Sequence, residues 1–358
     1  MAEPALVGPV EVVGTGLLGT SIGLACRRAG LEVLLTDLNA EHVRTASGLG
    51  AGRARTPGDR PQLVVVAVPP DHLGEAVVAA LAATDAVVTD VGSVKSEPQR
   101  VVAAASGPAS LRRYVGGHPM AGSERSGPLA ASAALFDGRP WAVTPHDTSD
   151  PTATSLVESL ARLCGAVPVL MTPDEHDHAV ARTSHLPHLL AVLVAGRLAD
   201  APAGQLALSG QGVRDVTRVA GGDPGLWQQI VTLNAEALRG LLAEVREELD
   251  VLQNALTQGD RPVLADLLER GVAGTRAIPG KHGGPAGATR SVYVSVPDHP
   301  GELARLFADA GASGVNIEDV HIDHDPGRPV GLVELVVDET RAEHLLESLE
   351  SRDWVTHR

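Results

Sequence analysis

Val10–Val13, a short apolar run, leads without a break into Gly14-Thr15-Gly16-Leu17-Leu18-Gly19. The amphipathic segment Leu17–Arg28 follows and closes at Gly30, and a second apolar run, Leu31–Leu35, ends in Thr36-Asp37. Glycines at that spacing between two apolar runs restrict the chain to strand, tight turn, helix, strand. Gly14 permits the turn, Gly16 lets backbone approach a pyrophosphate, and Gly19 lets helix and sheet pack closely. Backbone N–H groups at the helix start, around Leu17 and Leu18, are free to receive phosphate oxygens. Asp37 can accept hydrogen bonds from a ribose 2′-hydroxyl and would repel a 2′-phosphate, so the pattern predicts NAD rather than NADP.

The same rhythm continues downstream. Leu63–Val68 stops at Pro69-Pro70, with Asp71 as cap for a helix over His72–Ala82. Ala86–Thr89 ends in Asp90-Val91-Gly92-Ser93-Val94-Lys95. Continuous apolar runs alternating with helices predict a parallel sheet covered on both faces, with ligands beyond the C-terminal strand ends. Val68, Pro69 and Ser93 lie at those ends. Ser93 is expected to face the nicotinamide, to N-cap a helix beginning near Val94, or to do both. Tyr114–Gly117 reads as a strand leading into a loop through His118 and Glu124. Trp141–Thr144 and Val167–Met171 read as strands flanking a helix from Thr152 to Leu163. Residues 1–171 thus form an α/β, Rossmann-type dinucleotide-binding domain.

Inside that domain stands Gly116-Gly117-His118-Pro119-Met120-Ala121-Gly122-Ser123-Glu124. An imidazole with an ordinary pKa of about 6.5 is mostly available as a base at neutral pH. His118, held between a glycine pair and a proline, is expected to take a hydroxyl proton while the nicotinamide takes a hydride from the same carbon. The bland alternative is a structural turn histidine.

From Pro173 to about Gly271 the sequence shows no strand pattern, and residues 172–275 read as an all-α domain for substrate and dimerisation. Asp174-Glu175-His176-Asp177 opens a helix with acids in its first turn. Pro187, inside Ser184-His185-Leu186-Pro187-His188, must kink that helix or expose carbonyls, which turns the two histidines toward something. Their spacing suits a metal, but no third ligand follows and hydride chemistry needs none, so no metal is expected. Asp215 and Arg218 share a helix face; a surface ion pair is one reading, and a planar guanidinium that anchors an acidic substrate is the other. Leu226, Ile230, Leu233, Ala237, Leu241, Val245, Leu249, Leu252 and Leu256 recur at steps of three and four. They predict one helix of about 30 residues whose single apolar stripe is covered by a second subunit, giving a homodimer.

Composition closes off other partners. A formal charge of −15 argues against nucleic acid and anionic membranes, which both require clustered Lys and Arg. Cys26 and Cys164 make neither a disulfide framework nor a metal pattern, and no export signal or spanning segment is visible, so the cytoplasm is the expected compartment. A glycine- and proline-rich linker, 276–288, precedes a last module, 289–358. There Arg290–Val296, Leu303–Ala310, Val315–Ile322, Val330–Val337, Arg341–Leu349 and Trp354–Thr356 follow the order βαββαβ, the ferredoxin-like pattern, with a turn at Asp325-Pro326-Gly327.

Taken together, Gly14–Gly19 with Asp37, Asp90–Lys95, Gly117–Glu124, Ser184–His188 and Arg214–Ala220 resemble the prephenate dehydrogenases of tyrosine biosynthesis over nearly the whole chain. The tail, with its Asp298-His299-Pro300-Gly301 turn and Asn316-Ile317, resembles an ACT domain. The resemblance implies the reaction prephenate + NAD → 4-hydroxyphenylpyruvate + CO2 + NADH. It implies His118 as the base, and Ser93 hydrogen-bonded near base, substrate and nicotinamide. It further implies Arg218 on a substrate carboxylate, with His188, Ser184 and Asp215 about the substrate. Glu124 could pair with the ammonium of arogenate, leaving an arogenate or dual activity open, or could bond to its own loop. Asp298, Gly301, Asn316 and Ile317 are candidates for an amino-acid effector, tyrosine being the obvious one. A β-hydroxyacid dehydrogenase would require a lysine in the helical domain, whereas the two lysines are Lys95 and Lys281. A non-enzymatic NAD and amino-acid sensor would bind without turnover.

Overall fold

A computed structural model describes residues 6–122, 126–279, 288–324 and 330–357. The chain divides into two compact units, Met1–Glu248 and Leu249–Arg358. Glu124, the linker over 280–287 and the Asp325-Pro326-Gly327 turn lie outside the described residues.

The first unit is built on a sheet of β1 (Val10–Val13), β2 (Val33–Thr36), β3 (Arg53–Ala54), β4 (Leu63–Val66), β5 (Val87–Asp90), β6 (Tyr114–Pro119), β7 (Pro140–Thr144) and β8 (Val167–Leu170). Their order is β3-β2-β1-β4-β5-β6-β7-β8. All neighbours from β3 to β6 are parallel, but β6 and β7 are antiparallel, with His118 opposite Ala142. The sheet is therefore mixed rather than parallel throughout. Helices α1 (Leu17–Arg28), α2 (Ala40–Gly48), α3 (Leu73–Ala83), α4 (Ser96–Ala105), α5 (Pro108–Leu111) and α6 (Pro151–Leu163) connect the strands. Two apolar clusters form, one around Val12, Ile22, Val65 and Trp141, the other around Val64, Leu73, Val88 and Tyr114. Residues alternate between them along β4, as a sheet buried on both faces requires.

Local expectations differ from the fold at three caps and breaks. Asp71 does not cap α3, because a 3-10 turn, Pro70–His72, intervenes and His72 takes the cap position without a side-chain bond. Ser93 does not cap α4 either. That helix begins at Ser96, and Asp177, far along the chain, accepts from the backbone N–H of Lys95 and Ser96, each at 2.8 Å. Just before Pro187, where the sequence calls for a kink or exposed carbonyls, the chain makes a π-helical turn, Ala181–His185, between α7 (Pro173–Val180) and α8 (Leu186–Gly196). Pro187 then sits in the first turn of α8, where its missing N–H costs nothing.

Short helices α9 (Ala203–Leu206) and α10 (Gln211–Thr217) precede α11 (Pro224–Leu233) and α12 (Ala235–Gln258). The single long helix read from the leucine pattern is thus two, broken at Asn234, which leaves helical geometry at φ −109° and ψ 27°. The period of apolar residues does not report a one-residue break that preserves the face. Buried Asn234 spends the side chain of the break on two inward bonds, donating from Nδ2 to the Asp177 carbonyl at 2.9 Å and meeting His185 Nδ1 at 3.1 Å. Leu238 and Leu241 pack with Ala181, whereas Leu226 is exposed.

In the second unit, α13 (Arg261–Arg276) follows the end of α12. Then come β9 (Thr289–Pro297), α14 (Glu302–Ala312), β10 (Ile317–His324), β11 (Val330–Asp338), α15 (Glu339–Glu350) and β12 (Val355–His357). The antiparallel order β10-β11-β9-β12 is that of the split βαβ pattern expected of the tail. Its core gathers Val292, Val294, Leu306, Leu335, Leu345 and Leu349. Leu249, Leu252 and Leu256 on α12 are exposed.

Replacing Asn234 with leucine leaves a buried carbonyl and a buried imidazole without their donor. Stability should fall by about 1–3 kcal/mol, read as a lower urea midpoint for the Asn234→Leu chain. An unchanged midpoint would show that the break owes nothing to these bonds.

Candidate active site

The C-terminal edge of the parallel strands collects most of the residues singled out in the sequence. After β1, Gly14 takes φ +96°, and a side chain there would meet the Ala67 carbonyl oxygen at 2.4 Å. A Cβ on Gly19 would come within 1.9 Å of the Gly14 carbonyl oxygen, so helix α1 can seat against the turn only because that carbon is missing. Gly16 is different: a Cβ added there would meet nothing within 4 Å. The turn is therefore closed beneath and open above, with the α1 N–H groups of Leu17 and Leu18 at its rim. That is the shape a pyrophosphate needs.

Asp37, just past β2, ties the turn down. Its Oδ2 accepts from the Thr15 N–H at 2.6 Å and the Thr15 hydroxyl at 2.9 Å, and its Oδ1 accepts from the Asn39 N–H at 2.8 Å. Burial alone would raise its pKa, but these bonds outweigh it and hold the carboxyl below its ordinary value. An ionised acid at this place favours ribose hydroxyls and repels a phosphate, so the residues present fit NAD. Val68 and Pro69 follow β4, and half-buried Ser93 follows β5 in a loop pinned by the Gly92 N–H donating to Asp90 Oδ1 at 2.8 Å.

His118 lies on β6 rather than in a loop after it. The glycines before it are a packing requirement. A Cβ on Gly116 would stand 2.4 Å from Thr144 Oγ1, and one on Gly117 would stand 2.8 Å from the Asp90 carbonyl oxygen. This closeness lets a buried charge web run under the base. Lys95 Nζ donates to Asp90 and, at 2.7 Å, to the Gly117 carbonyl, while the Tyr114 hydroxyl donates to Asp90 Oδ2 at 2.8 Å. Lys95 and Asp90 are about as buried as any side chains in the chain, at 1% and 0% exposure, so removing either partner strands a charge at a cost of about 3–5 kcal/mol. Burial and the adjacent Asp90 push the Tyr114 hydroxyl well above its usual range, keeping it a neutral donor.

The half-buried His118 ring meets a second histidine that sequence reasoning passed over. Nδ1 of His118 lies 2.9 Å from Nε2 of His176, and Nδ1 of His176 lies 2.8 Å from Asp177 Oδ1. Burial, then His176 and Lys95, hold the His118 pKa well below its ordinary value. Burial likewise lowers His176, with Asp177 opposing. In the sequence His176 and Asp177 look like ordinary members of a helix start. Thr172 and Glu175 already complete a capping box there, so the following His-Asp pair was free for another task.

The remaining candidates separate into two groups. His188 on α8 is buried and stacks on Trp227 at 3.4 Å between centroids and 8° between planes, with its Nδ1 unpartnered. Burial lowers its pKa, opposed by a backbone hydrogen bond with Val219. His185 is packed and satisfied by Asn234, and burial pushes it down to about 4. Ser184 is half-buried in the π turn. Arg218 opens the 3-10 turn Arg218–Gly221 beyond α10, so it does not share a regular helix with Asp215. Asp215 accepts instead from Gln211 at 2.8 Å, and Arg218 is exposed with no ion pair among the described residues. Trp227, which no sequence reading had placed, is the platform for His188.

In the second unit, Asp298 and Gly301 (φ +95°) sit in the turn after β9, while Asn316 and Ile317 enter β10. Ile317 is level with Val337 and hence with Arg290, whereas Pro297 is level with Val330. The two pairs therefore lie at opposite ends of the sheet, roughly 20 Å apart at about 3.4 Å per residue. One copy does not bring all four to one ligand. Asn316 meanwhile donates to Glu318 at 2.7 Å.

The chain is similar to known proteins along most of its length. The model for the prephenate dehydrogenase nucleotide-binding domain matches residues 22–170, and that for the prephenate dehydrogenase dimerization domain matches residues 172–270. The probable prephenate dehydrogenase NovF of Streptomyces niveus is 37% identical, over 96% of this chain and 98% of its own length. The crystal structure of Aquifex aeolicus prephenate dehydrogenase in complex with hydroxyphenyl propionate and NAD+ superposes with a TM-score of 0.68 at 28% identity, covering 74% of this chain and 96% of that one. Synechocystis arogenate dehydrogenase gives 0.64 at 27%, covering 74% and 98%. With the glycine turn, the acid that holds it and the histidine on the sixth strand all in place, the chain belongs to the prephenate dehydrogenase family.

Proposed function

We propose that the chain is an NAD-dependent prephenate dehydrogenase, converting prephenate to 4-hydroxyphenylpyruvate and CO2 in tyrosine biosynthesis. One observation carries the reading: a neutral imidazole, His118, stands on the strand edge that also carries a turn shaped for NAD. Bound NAD+ supplies the acceptor for the hydride lost from the ring carbon that bears the hydroxyl. Gly14, Gly16, Gly19, Leu17 and Leu18 hold its pyrophosphate, Asp37 its ribose, and Val68, Pro69 and Ser93 line the nicotinamide side.

His118 takes the proton of the substrate hydroxyl, and that carbon becomes carbonyl-like. Departure of the ring carboxylate as CO2 then sends an electron pair into the ring, which becomes aromatic. The oxygen gains negative charge in this step and takes a proton back, so the balanced reaction releases none. Ser93, in the loop after β5 and next to the strand that carries His118, is the residue that the family resemblance gives the task of steadying the hydroxyl. Arg218 is an uncommitted guanidinium suited to bidentate capture of a carboxylate. The unpartnered Nδ1 of His188, held by Trp227, is a polar atom awaiting a partner in the same region of the helical segment.

The exposed leucines of α12, together with the dimerization-domain match, support a homodimer. Buried free Cys26 and Cys164 suit a reducing cytoplasm. The tail is read as an ACT-type module that takes an aromatic amino acid such as tyrosine. Because its candidate residues lie at opposite sheet ends, a ligand touching both pairs would bridge two copies.

With NAD and prephenate, NADH absorbance should rise; parallel assays with arogenate and with NADP test the alternatives. His118→Asn should lower kcat by about 10²–10⁴-fold while leaving NAD binding intact. A folded variant at the parental rate would sink the assignment of the base. Arg218→Ala should instead raise KM about 10–100-fold, the worth of a charge-assisted bond, with kcat little changed; a fall confined to kcat would contradict its anchoring role. The pH profile follows from the direction of the His118 shift. Burial penalises the charged imidazolium and so lowers the pKa, and the neutral base persists as pH falls. At pH 6 an unshifted imidazole of pKa about 6.5 would leave about a quarter of the enzyme competent, whereas kcat/KM here should stay close to its value at pH 7. An acid limb centred at or above the ordinary value would contradict this.

A further inference from the structure

We propose that His176 and Asp177 form a proton-ordering relay that holds His118 with hydrogen on Nδ1, leaving the Nε2 lone pair for the substrate hydroxyl. The proposal rests on His118 as the base of the dehydrogenase reaction and adds the residues that choose which of its nitrogens can act. Neither His176 nor Asp177 was assigned any part beyond opening a helix.

The hydrogens are fixed in order from the carboxylate outward. Asp177 accepts from the Lys95 N–H, the Ser96 N–H and His176 Nδ1, each at 2.8 Å. The two backbone groups can only donate, so the carboxylate is an acceptor at both oxygens. Burial would raise its pKa, but these three bonds hold it below the ordinary value, and it stays ionised. His176 Nδ1 must therefore carry the hydrogen. A neutral imidazole has only one such hydrogen, and burial keeps His176 neutral, so its Nε2 is bare. The atom 2.9 Å from that lone pair is His118 Nδ1, which must in turn be the donor. Since His118 is also neutral, its Nε2 carries no hydrogen. Each assignment forces the next.

Other groups around the ring do not offer a competing order. Lys95 Nζ is a donor, already spent on Asp90 and the Gly117 carbonyl. The Tyr114 hydroxyl donates to Asp90 rather than to either histidine. His185 is engaged by Asn234. The reverse order would need either a protonated Asp177 or a doubly protonated His176, and the three donors on Asp177 oppose the first while burial opposes the second. The carboxylate at the start of α4 thus comes from α7 rather than from a neighbour in the sequence. One group sets the start of α4, after the Ser93 loop, and the proton order of the base together.

His176 is a positioning residue, since it acts through His118, and the test must separate positioning from simple support of the fold. His176→Met removes the acceptor while filling much of the space; His176→Gln places a carbonyl oxygen near the Nε2 position and can still accept from His118. The Met chain should lose about 10–100-fold in kcat, the usual effect of removing an orienting partner, with KM for prephenate unchanged. The Gln chain should recover most of the loss. Independently of any variant, nitrogen-15 resonances of the His118 ring in the parental chain, assigned by their absence in His118→Asn, should report a protonated Nδ1 and a bare Nε2 at neutral pH without substrate. A hydrogen on Nε2 in that spectrum overturns the proposal even if the Met chain does not fold. Met and Gln chains that are both folded and equally slow, or a Met chain at parental kcat, overturn it too. Failure of the parental chain to oxidise prephenate would sink the proposed function instead, because the tautomer is read with no substrate present.

Discussion

The buried carboxylate of Asp177 is the constraint on which the site depends. A helix start normally satisfies its free N–H groups with a side chain a few residues away. Here α4 is capped from α7, across more of the sequence than any local motif spans. The cost of burying an acid is offset because both carboxylate oxygens meet donors. The result fixes the loop that carries Ser93, places the Lys95 ammonium under β6 and positions the imidazole that meets His118. Asn234 reaches the backbone carbonyl of the same residue, so the break between α11 and α12 is registered against the same point.

Glycines make this closeness possible, and each does so for a reason that can be measured. Gly14 and Gly19 are spared a side chain by backbone atoms that approach too near, while Gly16 faces open space. Gly116 and Gly117 are excluded from bearing side chains by Thr144 and Asp90, the neighbours that carry or flank the charge web. The first set shapes a pocket for phosphate and the second brings a strand against an ion pair. Both are invisible to a rule that treats glycine as flexible; here it serves as absent volume.

How much of this the sequence revealed depended on distance along the chain. The turn at Gly14–Gly19, the helix over Leu17–Arg28 and the place of Asp37 were legible because their causes lie within a few dozen residues. His118 stood out as a candidate base from its neighbours, but its position on β6 did not, since pairing with β7 is set by residues such as Ala142 that no local pattern connects to it. The Asn234 break preserved the apolar face and so left the period intact. The surface pair of Asp215 and Arg218, one of two readings open for them, does not form: Asp215 accepts from Gln211, and Arg218 stands where α10 gives way to a 3-10 turn. His176 and Asp177 were hidden by a capping box that accounted for the segment without them.

Proton balance gives the low pKa of His118 its meaning. The overall reaction consumes a hydride acceptor and releases CO2 but no proton, so the base must return what it takes within the same turnover. A histidine of high pKa would accept readily and then hold on, leaving the product oxygen charged. A histidine whose imidazolium is disfavoured by burial, by a second imidazole alongside and by Lys95 surrenders the proton easily. The difficulty is then to accept at all, and the bond through His176 to an ionised Asp177 eases it, because charge arising on His118 is met by a fixed negative group two hydrogen bonds away. Positive charge below the ring and negative charge beyond His176 thus pull in opposite directions. An imidazole poised between them can shuttle one proton out and back, which is what an aromatising decarboxylation asks of its protein.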